Sequence, residues 1–185
     1  MPTADTSVRV AWSADADAIA ALQAQAWRTR YAEVLPADLL EQITAELFAP
    51  KWEASLTKPG DARNRVLVAL ERATVRGFAI VGPSGDEDAD PVADGEVAEL
   101  IVDPEHTGAG HGSRLLQACA DTLRADRFRR ATIWLDATDD ALRSFVTGTG
   151  WAPDGAHREV DPVGDGTRLK QVRLHTALVG EDDDG

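Results

Sequence analysis

Three glycines in five residues, Gly108, Gly110 and Gly112, stand between a β-rich run, Glu96 to Val102, and a run whose Leu115, Leu116, Cys119 and Leu123 recur at helical spacing. No other segment restricts the fold as much. A chain that passes from strand to glycine turn to helix, and then into another β-rich run at Ala131 to Leu135, makes a crossover, which can lay two strands side by side in parallel. Glycines also let backbone N–H groups converge on an anion that side chains would block. The helix adds its unpaired first N–H groups and the positive end of its dipole, so a pyrophosphate can be held there without any lysine.

Two familiar phosphate patterns do not fit. A P-loop ends in Gly-Lys-Ser/Thr, whereas Gly112-Ser113-Arg114 has no lysine. A dinucleotide fold needs its first glycine at the strand end and a third glycine three residues past the second. Here five residues separate Val102 from Gly108, and the third place is Ser113.

The remaining pattern surrounds this unit with short elements. Ser7 to Ala11 reads as a first strand and Asp15 to Arg28 as a helix burying Ile19, Leu22 and Ala26. Pro36 opens a second helix with Leu39, Leu40, Ile43 and Leu47 as one apolar stripe. Arg65 to Leu70 and Gly77 to Val81 read as a hairpin, Asp140 to Thr147 as a short helix, and Ala156 to Val160 with Leu169 to Leu178 as a closing hairpin. The expected fold is α/β, a mixed and mostly antiparallel sheet of six or seven strands with helices on both faces.

The 185 residues suit a single domain, 1–180. The net charge of −13 is concentrated: Asp86, Glu87, Asp88, Asp90 and Asp94 mark 84–95 as an acidic mobile loop with solvated side chains, and 181–185 form an acidic tail. Without the nine acids of these two runs the charge is −4. Acidity argues against nucleic acid as a partner. No apolar run is long enough for a bilayer, and one cysteine with four histidines gives neither a disulfide nor a zinc framework. The expectation is a cytoplasmic protein with no membrane partner and no metal. The five tryptophans, Trp12, Trp27, Trp52, Trp134 and Trp151, are dispersed and read as core.

The stretch from Glu96 to Leu116 resembles the acetyl-coenzyme A signature of the GNAT-type N-acetyltransferase superfamily. Val102, Pro104, Gly110, Gly112, Leu115 and Leu116 match it, and Thr107 stands where that signature has Gln or Arg. Ala26 to Tyr31 followed by Leu35-Pro36, and Phe145 to Trp151, are similar to other segments of the family, so the likeness spans about Val8 to Leu178. The resemblance implies acetyl-coenzyme A as co-substrate. It places the pantetheine arm on the backbone of Leu100, Ile101 and Val102, and the pyrophosphate on Thr107, Gly108, Gly110, His111, Gly112 and Ser113. It implies a small-molecule or protein amine as acceptor, near Trp27 and Tyr31, and allows a homodimer.

Acetylation of an amine needs a proton acceptor. Glu96 aligns with the family's fourth-strand glutamate, and Glu99 lies three residues nearer the glycines. Strand alternation puts them on opposite faces unless a bulge intervenes, and the resemblance implies such a bulge. Both remain candidates, beside the reading of both as solvated strand residues. The tyrosine that often protonates the departing thiolate in the family is replaced by Val146. A coenzyme A binding or sensing protein with little catalysis is therefore the alternative function.

Overall fold

The structure, a computed structural model, describes residues 5–178. The acidic tail and both ends of the expected domain lie outside these residues. In chain order the described elements are β1 (Thr6–Val10), α1 (Ala16–Arg30), α2 (Ala37–Gln42), α3 (Ala45–Thr57), β2 (Arg65–Glu71), β3 (Thr74–Pro83), β4 (Asp94–Val102), α4 (His111–Ala125), β5 (Arg130–Asp136), α5 (Asp140–Gly148), β6 (Ala152–Val160) and β7 (Leu169–Ala177). The strands form one seven-stranded sheet in the order β1-β2-β3-β4-β5-β7-β6. Antiparallel pairing joins β1–β2, β2–β3, β5–β7 and β6–β7. The crossover through α4 makes β4 and β5 the parallel pair, in register from Asp94↔Arg130 to Val97↔Ile133. This is the mixed, mostly antiparallel sheet flanked by helices that the sequence leads one to expect.

Three local readings are corrected. The helix after Pro36 is two helices, because Ile43 turns extended (φ −80°, ψ 90°) and the Thr44 hydroxyl accepts from Leu47 N at 3.3 Å, capping a fresh start. The supposed stripe is broken with it: Ile43 is buried, whereas Leu47 is 52% exposed. β6 begins at Ala152 rather than Ala156, and its register shifts between Pro153 and His157. There the Asp154 carboxylate accepts from Ala156 N at 2.9 Å and Gly155 takes φ +89°, so residues that look like a turn form a bulge inside a strand. Trp12 is not core. It is 63% exposed, with the Arg9 guanidinium 3.6 Å from its ring centroid.

The chain divides into two compact units, one holding the described part of Met1–Val81 with Glu99–Cys119, the other Gly82–Ala98 with the described part of Ala120–Gly185. In the first, Trp52 of α3 meets Phe78 of β3 edge-on at 5.4 Å and donates from Nε1 to Gln23 Oε1 of α1 at 2.7 Å. In the second, Gly95 leaves room for Leu123 and Phe128; a Cβ there would stand 2.8 Å from Leu123 Cδ2. Burying side chains of this size contributes roughly 1.5–3 kcal/mol each.

Gly77 of β3 is the tightest approach in the first unit. A Cβ would lie 2.8 Å from the Ile101 carbonyl oxygen and 3.0 Å from Leu115 Cδ1. Backbone cannot step aside as a side-chain tip can, so Gly77→Ala is expected to destabilise by about 1–3 kcal/mol through overpacking. Urea unfolding should show a lower midpoint at unchanged slope.

Candidate active site

The glycine loop is anchored before it begins. Asp103, directly after β4, donates from its backbone N to Arg76 O of β3 at 2.7 Å. Its carboxylate accepts from Glu105 N at 3.0 Å and receives His106 Nδ1 at 3.0 Å, with Arg76 Nη1 at 3.6 Å. Arg76 in turn donates to Glu71 at 3.1 Å. The end of β4 is thereby fixed to the start of β3, and the single 3-10 turn Pro104–His106 delivers the chain to Thr107.

Gly108 and Gly110 both adopt positive φ, +82° and +83°, a conformation that L side chains resist. Thr107, Gly108 and Ser113 are exposed, and Gly110 and Gly112 are half-buried. Arg114 folds back over the loop, donating from Nη2 to Ala109 O at 2.9 Å and lying 3.3 Å from His111 Nδ1. Its Nη1 would be 2.9 Å from a Cβ at position 110. The His111 imidazole is buried, and burial, with the nearby Arg114 charge, pushes its pKa below the usual value. His111 is the first residue of α4, so its side chain is enclosed at the helix start.

In β4, Leu100 and Ile101 are buried and Val102 is half-buried. Glu99 accepts from Arg30 Nη2 of α1 at 3.4 Å. Glu96, half-buried in the other unit, has its carboxyl pushed up by burial and further by the charge of Asp86; a Gly85 backbone hydrogen bond and the Arg158 charge act in the opposite sense.

The supposedly solvated acidic run carries much of this environment. Asp86 accepts from Trp134 Nε1 at 3.0 Å and from Arg173 Nη1 at 3.0 Å. Asp88 accepts from Arg173 Nη1 and Nη2, each at 2.7 Å. Asp154 accepts from Arg173 Nε at 2.6 Å and Arg130 Nη2 at 2.7 Å. Asp90 and the buried Asp94 cap the loop's own N–H groups. Arg173 repays the desolvation of Asp86 and Asp154, while Glu87, Asp88 and Asp90 stay exposed, so a run that composition marks as solvated is in part an ion-pair frame.

Of the other expected residues, Trp27 is half-buried and lines a cavity described below. Tyr31 is buried and packs edge-on with Trp27 at 5.7 Å. Val146 is fully buried, so its position has no room for an exposed acid. Cys119 is buried, its thiol pushed up to about 12 by desolvation. The sequence reading missed Arg76, Asp103, Arg114, Asp86 and Arg173. Asp103 alone carried a local signal, an Asp immediately before Pro at a helix start.

The sequence model of the Acetyltransferase (GNAT) family matches residues 21–148, and the chain belongs to that family. An uncharacterized N-acetyltransferase of Bacillus subtilis (strain 168), YuaI, is 29% identical over 169 residues, covering 91% of each chain. Among solved structures, the fold is similar to YncA, a putative acetyltransferase of Salmonella typhimurium with its cofactor acetyl-CoA, at TM-score 0.67, 20% identity and 96% coverage of each chain. It is also similar to the PaiA N-acetyltransferase of Thermoplasma acidophilum in complex with coenzyme A, at TM-score 0.67 and 15% identity, covering 94% of this chain and 99% of that one. No described helix is long and apolar enough to cross a membrane.

Arg173 is 8% exposed at its side chain, and two of its partners, Asp86 and Asp154, are 12% and 10% exposed. Arg173→Met removes the cation these carboxylates share, leaving Asp154 to Arg130 and Asp86 to Trp134 Nε1, and is expected to cost about 3 kcal/mol. Burial raises the Asp154 carboxyl, but the Ala156 N–H and Arg173 offset it, so the net direction is down. A carboxyl depressed in the folded state stabilises above its unfolded pKa of about 3.9 and loses that contribution as pH falls through the folded value. Stability of the native chain should thus fall below about pH 5, and that fall should be shallower in Arg173→Met, read by chemical denaturation at several pH values.

Proposed function

We propose that the chain is an N-acetyltransferase that uses acetyl-coenzyme A to acetylate a primary amine, the amine attacking directly. Bound at the glycine loop, acetyl-coenzyme A supplies an activated acetyl thioester. The loop fits such a guest. Positive φ at Gly108 and Gly110 gives the loop a turn that L side chains resist, a Cβ at position 110 would press on the Arg114 guanidinium, and that guanidinium offers the cation that Thr107 lacks. Backbone N–H groups of Thr107, Gly108, Gly110, His111, Gly112 and Ser113 would hold the pyrophosphate. The described pairing of β4 with β5 ends at Val97, which supports reading the backbone of Leu100, Ile101 and Val102 as what would hold the pantetheine arm.

Glu96 is the base in this reading, and its raised pKa carries the choice. An amine with a pKa near 10.4 is about 3.4 units too basic at pH 7, so freeing its lone pair costs roughly 4.6 kcal/mol. A carboxylate whose pKa lies closer to neutrality takes that proton better than an ordinary one. Glu99 is already given to Arg30. A general acid is dispensable: a thiolate with a pKa near 8.5 leaves unprotonated at pH 7 for only about 2 kcal/mol. The alternative, a coenzyme A sensor with little catalysis, draws on the buried Val146 and predicts cofactor binding without turnover on any amine of a broad panel.

Gly110→Glu should abolish the rise in melting temperature that acetyl-coenzyme A produces in the native chain, because binding only the folded state stabilises it. Unchanged stabilisation sinks the loop assignment.

Glu96→Gln should lower turnover at neutral pH by about 10²-fold or more, with part of it returning as pH rises and free amine accumulates. Glu99→Gln should do less. Asp86→Asn removes a charge that disfavours ionised Glu96, so the acidic limb of the rate profile should move to lower pH. A larger loss from Glu99→Gln transfers the role to Glu99.

A further inference from the structure

We infer that a second site, a cavity of about 640 Å³ in the unit containing α1, α3 and β1–β3, binds a small organic carboxylate with an apolar or aromatic body. The volume is ordinary for a small-molecule pocket, about 300–1,000 Å³. Trp27, Phe48 and Trp52 supply the apolar wall, with Trp27 and Phe48 edge-on at 5.1 Å. Lys51, Lys58 and Arg65 supply the charge, and no Asp or Glu is among the lining residues.

The sign of that lining runs against the rest of the chain. Net charge is −13, and of only three lysines, Lys51, Lys58 and Lys170, two stand at this cavity. Asp61, in the segment beside it, is held by Arg63 Nε and Nη2 at 3.2 and 2.9 Å. Gln23 spends its carbonyl oxygen on Trp52 Nε1, so the amide hydrogens are what it has left to offer a guest. Cations and donors around an aromatic wall select an anion with an apolar body and repel an ammonium group.

The same chemistry fits the carboxylate end of an acceptor and a separate carboxylate effector. The inference concerns binding and does not rest on acetyl transfer. The test is calorimetric titration of the full chain with 3-phenylpropionate, 3-phenylpropanamide and phenylalanine, before and after Lys51→Glu with Lys58→Glu. Both lysines are exposed, so the fold should persist, checked by an unchanged melting temperature. The acid should bind about fivefold tighter than the amide at low salt, an advantage that shrinks as salt rises, and the double variant should lose about tenfold. Equal affinity for acid and amide, no saturable binding of the acid, or an unaffected double variant overturns the proposal. Acetylation of phenylalanine with competitive inhibition by 3-phenylpropionate identifies the acceptor's own carboxylate. Binding of the acid without competition identifies an effector.

Discussion

The Arg173 guanidinium joins three carboxylates in its unit because five N–H donors in one rigid plane can serve several acceptors at once. Asp86 and Asp88 come from the β3–β4 loop and Asp154 from the bulge of β6, while Arg173 itself lies in β7. One side chain therefore ties a connection to two strands far from it in sequence. The loop it holds brings Gly85 and Asp86 to Glu96, one with a hydrogen bond and the other with a negative charge. The candidate base owes its raised pKa first to burial and then to a neighbour whose position is set by an ion-pair cluster.

The first unit solves a different problem, that of presenting bare backbone. Asp103 and Arg76 lock the exit of β4, Gly77 lets β3 pass close to Ile101, and Arg114 closes over the glycines from the helix side. Side chains build the scaffold there, and peptide groups are what the scaffold exposes.

The parts of this arrangement that were legible in the sequence are those with local causes. Periodicity and glycine spacing marked β4, the loop and α4, because helix and turn formation are decided within a few residues. The break at Ile43–Thr44 was hidden, since the apolar spacing through Leu47 satisfies a helix and only the competing Thr44 cap interrupts it. The acidic run was misread for the reverse reason: composition describes charge but not partners, and Arg173 lies 85 or more residues away. Glu96 could be preferred to Glu99 only through its alignment with the family's glutamate, because the neighbours that set their surroundings, Asp86 and Arg30, are contacts made by folding.

The arginine ion pairs described above are built with Arg30, Arg63, Arg76, Arg130 and Arg173, and the sequence has sixteen arginines against three lysines. A guanidinium, with a pKa above about 12, stays protonated and offers no lone pair to an acyl donor, whereas lysine is a target of acetylation. A member of an acetyltransferase family framed in this way can meet reactive thioesters without having its own structural cations acylated. Chemical inertness toward the reagent it handles is thus a property of the residue type chosen for the frame.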